Sequence, residues 1–187
     1  ILPAILRFQD INKGELAELK DDDFIALNKA VEEALKNVIQ FRKDEGAQLE
    51  KDILGRINAI QQLKETLAPH EISRIEKLKE KLKQDVAAFV EQEAIDKNRF
   101  EEELIYYLEK MDINEEKVRL DTHCTYFHET LKEDSMEKGK KLGFIGQEIG
   151  REINTIGSKA NDANMQKIVV QMKDELEKIK EQVLNIL

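Results

Sequence analysis

From Phe24 to Leu67 the chain runs without a proline, and on either side of 39–48 its apolar residues return every three or four positions. Phe24, Leu27, Val31, Leu35 and Val38 begin the series, and Leu49, Ile53, Ile57, Ile60, Leu63 and Leu67 continue it. That period puts the apolar residues on one face of a helix and rules out a strand, which needs alternation by two. Asp21, Asp22 and Asp23 supply an N-cap and first-turn acids, and Pro69 marks the corner. Gly46 and Gly55 weaken such a helix without breaking it. A second stripe follows in Ile72, Ile75, Leu78, Leu82, Val86, Phe89 and Val90, so 21–98 reads as a long antiparallel helical hairpin. Its many Lys and Glu are solvated faces.

Past a turn near 94–98 the pattern shortens. Phe100, Leu104, Tyr107, Leu108 and Met111 stripe a third helix. Asp112 and Glu115 have the spacing of a capping box, opening a fourth with Leu120, Cys124, Phe127 and Leu131. After a turn at 135–139, Leu142, Ile145, Ile149, Ile153 and Ile156 face inward on a fifth, which is expected to stop at Gly157–Asn161 with glycine as its C-cap. The last helix carries Met165, Val169, Met172, Leu176, Ile179, Val183 and Ile186 in alternating threes and fours, a heptad seam that needs a partner helix. The fold class is therefore mainly α: a long hairpin, then a C-terminal helical domain over 99–187. Residues 1–20, with Pro3 and Gly14, read as the remnant of a preceding domain or a linker. An opening at Ile1 with the run ILPAILRF reads as a segment cut from something longer.

Composition agrees with helices: 187 residues, 37% charged, 2 Pro, 8 Gly and no Trp. No apolar run approaches the roughly 18 residues of a membrane span. The lone Cys124 suits a reducing cytoplasm and a buried position; as neighbours on a helix, His123 and Cys124 do not face each other. The formal net charge of −9 opposes non-specific attraction to nucleic acid. The charge is uneven, however. From Lys138 onward there are nine Lys/Arg against seven Asp/Glu, and before it 21 against 32.

That less acidic end holds the densest polar group. Gln147, Arg151, Asn154 and Ser158 make one line on the fifth helix, and Glu148, Glu152, Thr155 and Lys159 the next. Glu148 and Glu152, one turn apart, can share a hard divalent cation. Arg151, Lys159, Lys140 and Lys141 suit phosphate. The plainer alternative is a Glu–Arg network on a solvated face. On the fourth helix Glu115, Arg119 and His123 form another polar line, where a histidine above acids serves either as a general acid/base or as a surface ion-pair partner. Phosphate-cradling Gly-rich loops, Cys/His zinc spacing and nucleophile elbows are absent, as is a pattern of aromatic stacking platforms.

Residues 139–187 resemble the C-terminal domain of the bacterial YicC family. The similarity lies in Gly139, Lys140-Lys141-Leu142, Phe144, Gln147-Glu148, Arg151-Glu152, Asn154-Thr155 and Ser158-Lys159. Upstream, Asp112-Ile113, Glu115-Glu116, Arg119-Leu120 and His123 look like a second signature, and FRKDEGAQLEKDI from Phe41 is similar to the family's hairpin region. The resemblance implies an endoribonuclease that cuts single-stranded RNA with a divalent cation (Mn or Mg) and works as a homo-oligomeric ring, a hexamer. On that implication His123, Glu148 and Glu152 are catalytic, with both glutamates as metal ligands, and Arg119, Lys140, Lys141, Arg151 and Lys159 bind RNA. An RNA-binding adaptor or a helical scaffold remains the alternative.

Overall fold

A computed structural model describes the backbone over residues 21–89, 97–135 and 137–186, and side chains over 21–85, 100–135 and 137–186. Every regular element among them is a helix: α1 (Asp21–Glu65), α2 (Ala68–Phe89), α3 (Lys97–Met111), α4 (Asn114–Leu131), α5 (Lys138–Ala160) and α6 (Ala163–Val183). No described helix is long and apolar enough to cross a membrane. The expected remnant at 1–20 lies outside the described residues, as does most of the turn near 94–98. The chain divides into two units, Ile1–Glu45 and Gly46–Leu187.

In the first unit the stripe foreseen as buried stands open: Phe24, Leu27, Val31, Leu35 and Val38 are all exposed. The reason is local. The described part of that unit is one helix, and a single helix has no second surface on which to bury its apolar face.

The second unit has a continuous core. Ile53, Ile57 and Ile60 from the end of α1 join Leu120, Cys124, Phe127 and Leu131 of α4, the inward face of α5, and the α6 seam from Met165 to Val183. Each fully buried Ile or Leu contributes roughly 1.5–3 kcal/mol of transfer free energy. α5 packs against α4 on one side and α6 on the other. The heptad seam of α6 thus finds its partner within the chain. α2 gives less to the core than its stripe suggests, since Ile72 is exposed and Ile75, Leu78 and Leu82 are half-buried.

The α5–α6 contact corrects one reading. α5 does not stop at Gly157. It continues to Ala160, and Asn161 takes the left-handed cap position at φ 45°, where Asn is among the residues that tolerate it. Gly157 is small for another reason: a Cβ there would lie 3.0 Å from Val169 Cγ1. Its carbonyl also accepts a hydrogen bond from Gln166 Nε2 at 2.5 Å. Gly143, on the same helix, would meet nothing within 4 Å. Urea unfolding should therefore separate two glycine-to-alanine changes. Gly157→Ala is expected to cost about 1–3 kcal/mol by overpacking, whereas Gly143→Ala should gain up to about 1 kcal/mol from helix propensity.

The start of α6 is held by Asp162. Its Oδ1 accepts from Asn164 N at 2.8 Å and Met165 N at 3.1 Å. The Met165 amide is the main cause that holds this carboxyl below its ordinary value, with Asn164 and Lys77 adding to it against burial. A carboxyl depressed in the folded state stabilises above its unfolded pKa, and that contribution fades as pH falls through the folded value. Asp162→Ala should cost about 1 kcal/mol at neutral pH. The difference from wild type should close in acid, as followed by thermal unfolding across pH. At α4 the foreseen capping box is not formed: the N-cap position falls on Ile113, Asp112 Oδ1 accepts from Asn114 N at 2.9 Å just outside the helix, and Glu115 turns to Arg119.

Candidate phosphodiester-facing site between α4 and α5

Helices α4 and α5 run antiparallel, and two ion pairs set their register. Glu116 Oε1 of α4 lies 2.7 Å from Lys159 Nζ of α5. One turn further along α4 and about two turns back along α5, Arg119 Nη1 stands 4.0 Å from Glu152 Oε1. Continuing that register carries His123, a further turn on and half-buried, towards the 148–152 stretch. The Arg119 line of α4 and the Glu152–Lys159 line of α5 therefore meet at these two pairs, along the α4–α5 seam.

The groups differ in how they are held. Glu152 is 4% exposed and is counted with the core face of α5. Glu148, one turn away, is exposed and pairs loosely with Arg151 at 3.8 Å. Arg119 is clamped by Glu115, which holds its guanidinium firmly protonated. Lys141 contacts Glu133 at 2.7 Å and lies 4.9 Å from the centre of the Tyr126 ring. Glu133, then Tyr126, raise its ammonium above the ordinary value. Lys140 is exposed and pairs with no acid among the described residues. Arg151 and Lys140 thus present the least committed cations, whereas Lys159 and Lys141 are each fixed by one carboxylate.

Among the described residues no three His, Cys, Asp or Glu side chains gather as a cation-binding group. Glu148 and Glu152 supply two carboxylates. An ion of the Mg²⁺ type keeps several waters and commonly takes one or two carboxylates plus phosphate oxygens. The pair fits such an ion only if water and phosphate complete its shell, and Arg119 already faces one of the two carboxylates.

Cys124 is buried in the core, and burial pushes its thiol up to about 12. A thiol that stays protonated is no nucleophile, and His128 is engaged elsewhere, 3.2 Å from Asn58 Oδ1.

From the sequence, Glu116 was named only within the second signature and given no role, and Arg74 was not singled out. Glu116 is 4% exposed, and its Oε2 is buried without a partner. Its position, four residues before Leu120 and eight before Cys124, put an acid inside the apolar stripe of α4, a signal that was available. Arg74 is 5% exposed. It donates to Lys159 O at 2.9 Å, Ala160 O at 3.0 Å and Met111 O at 2.5 Å. It likewise interrupts an apolar stripe, beside Ile75.

Among the described residues the protein is all helical, and its α4–α5 seam carries cations, carboxylates and a histidine, side chains of the kinds that can bind phosphate and move protons. Comparison with known sequences supplies the family. The family described as "Endoribonuclease YicC-like, C-terminal" matches residues 67–187. The chain is 39% identical over 186 residues to the "Probable endoribonuclease YicC" of Clostridioides difficile strain 630, covering 97% of this chain and 62% of that protein. It is 28% identical over 189 residues to the protein of the same description from Haemophilus influenzae Rd, covering 99% and 63%. The chain belongs to the YicC-like family and spans a little under two thirds of the length of these relatives.

Proposed function

We propose that the protein is an endoribonuclease that cuts single-stranded RNA along the α4–α5 seam. The observation that carries this reading is the meeting of two polar lines across one antiparallel interface, Arg119 against Glu152 at 4.0 Å and Glu116 against Lys159 at 2.7 Å, in a member of this family. Arg119, Arg151, Lys159, Lys140 and Lys141 neutralise the RNA backbone. His123 moves a proton to or from the reacting oxygens, as a phosphodiester cleavage requires at both the attacking and the leaving atom. Glu148 is the exposed carboxylate that approaches the substrate, and Glu152 fixes Arg119 from beneath. A divalent cation, Mn²⁺ or Mg²⁺, held by Glu148 and Glu152 would supply charge neutralisation at phosphate.

The same reading makes the active form a cytoplasmic homo-oligomeric ring, a hexamer. Such a ring gathers the less acidic C-terminal faces about RNA and leaves acidic helices outside, which reconciles a net charge of −9 with an anionic substrate. The exposed apolar stripe of α1 supports a partner of some kind.

The decisive experiment incubates labelled single-stranded RNA with the protein in Mn²⁺, in Mg²⁺ and in chelator, beside Glu148→Ala and Glu152→Ala proteins purified identically. Metal-dependent cutting that both variants lose supports the reading. Cutting that persists in every variant places the chemistry elsewhere. RNA binding without cutting makes the protein an adaptor, and dissociation of Glu148→Ala on a sizing column makes the seam a scaffold contact. Lys140→Ala/Lys141→Ala should weaken RNA binding across all sequences and flatten its salt dependence.

A further inference from the structure

Two exposed aromatic rings stand at one end of the seam. Tyr126 of α4 is 43% exposed and Phe144 of α5 is 57% exposed. The register that brings Arg119 to Glu152 also brings Tyr126 level with Phe144, since each lies about two turns further along its own helix in the shared direction. Phe144 lies one turn from Lys141 on α5, and Lys141 reaches the Tyr126 ring of α4. Tyr126 follows Arg119 by seven residues, the two-turn spacing that returns to the same face of α4. Lys141 lies over the Tyr126 ring at 4.9 Å, and Lys140 is exposed beside it.

An exposed aromatic residue alone signals little. Two of them at one level on facing helices, next to two lysines and continuous with a phosphate-facing seam, signal more. Aromatic faces beside cations are how proteins hold unpaired bases without reading their sequence. In a duplex those base faces are stacked and out of reach. We propose that Tyr126 and Phe144 form a stacking platform for an unpaired nucleobase of the RNA, with Lys140 and Lys141 taking the phosphates that flank it. The platform lies about 10 Å along the helix axis from Arg119, seven residues at the helical rise. It would therefore hold a base outside the reacting nucleotide and select single strands over duplexes. This inference rests on the RNA reading above.

The test measures binding in chelator, so that no RNA is cut, by fluorescence anisotropy. Three labelled probes are used: a short unpaired RNA, the same strand with abasic positions, and its duplex. Wild type should bind the unpaired strand on the order of 10-fold more tightly than the abasic one. Tyr126→Ala or Phe144→Ala should weaken binding of the unpaired strand roughly 5- to 100-fold and leave the abasic strand and the duplex unchanged. Tyr107→Ala removes an exposed aromatic from α3 and should change nothing. Phe144→Trp keeps the platform and adds a lone indole to a chain with no Trp. Its emission should be quenched by the unpaired strand and not by the abasic one. Equal losses on all three probes, no loss on the unpaired strand, a loss with Tyr107→Ala instead, or an indole blind to RNA would each overturn the platform while leaving RNA binding intact. Wild type that binds none of the probes would overturn both the platform and the RNA reading.

Discussion

RNA cutting by a His123→Ala protein is expected to fall by roughly 10²–10⁴-fold, the usual contribution of a positioned general acid or base. RNA affinity should change little. The asymmetry follows from where His123 sits. It lies one turn past Arg119 on α4, half-buried, in the register that leads to Glu148 and Glu152. On the proposed function phosphate affinity comes from the neighbouring cations, so removal of the imidazole would take away proton transfer and leave most of the grip. Single-turnover cutting and binding in chelator, measured side by side, separate the two. His123→Gln should fail equally, because an amide keeps the size and polarity without a transferable proton at neutral pH. Cutting within a few-fold of wild type in both variants would show that His123 is a surface residue. A parallel fall in unfolding midpoint would show that it acts through packing.

The largest stability effect away from the apolar core is expected at Arg74. Helix C-termini leave their last carbonyls without intrahelical donors and carry the negative end of the dipole. Arg74 answers two such ends at once, donating to Met111 O of α3 and to Lys159 O and Ala160 O of α5. Burial lowers its pKa, and Glu71, Asp112 and Asp162 oppose that shift. A guanidinium is still charged at any working pH. Arg74→Ala leaves buried acceptors unmet, at about 1–3 kcal/mol each before water relaxes into the gap. The net loss in urea unfolding should be about 3–5 kcal/mol, the range for breaking a buried charged network. Arg74→Lys should recover only part of it, because one ammonium cannot span the three carbonyls that a planar fork reaches. An unchanged midpoint would mean that water satisfies both helix ends unaided. Since Lys159 lies in the last turn of α5, the same change should also loosen the cationic end of the seam, and on the proposed function RNA affinity should fall with stability.

The helices of the second unit were legible because their stripes are both periodic and used. Leu120, Cys124, Phe127 and Leu131 on α4 and the six-residue seam of α6 are buried as their spacing requires. The stripe of α1 from Phe24 to Val38 has the same periodicity and is exposed. Periodicity states that a face is apolar and is silent about what covers it. The polar lines on α4 and α5 were likewise legible one at a time, through the three- and four-residue spacing that places side chains on a common face.

By itself the sequence determined which residues share each helix face, that a last helix with a heptad seam follows the break at 157–161, and that Cys124 has no disulfide partner in the chain. Only the tertiary structure decided that α4 and α5 bring Arg119 to Glu152 and Glu116 to Lys159, that Glu116 and Glu152 are buried there, and that Lys141 reaches over Tyr126. It alone decided that α5 runs through Gly157 to an Asn cap. The reason is the range of the forces. Helix periodicity and capping act over three or four residues and are written in local sequence. The register of two helices is settled by interlocking side chains more than 30 positions apart, such as Glu116 and Lys159, and no local pattern fixes it.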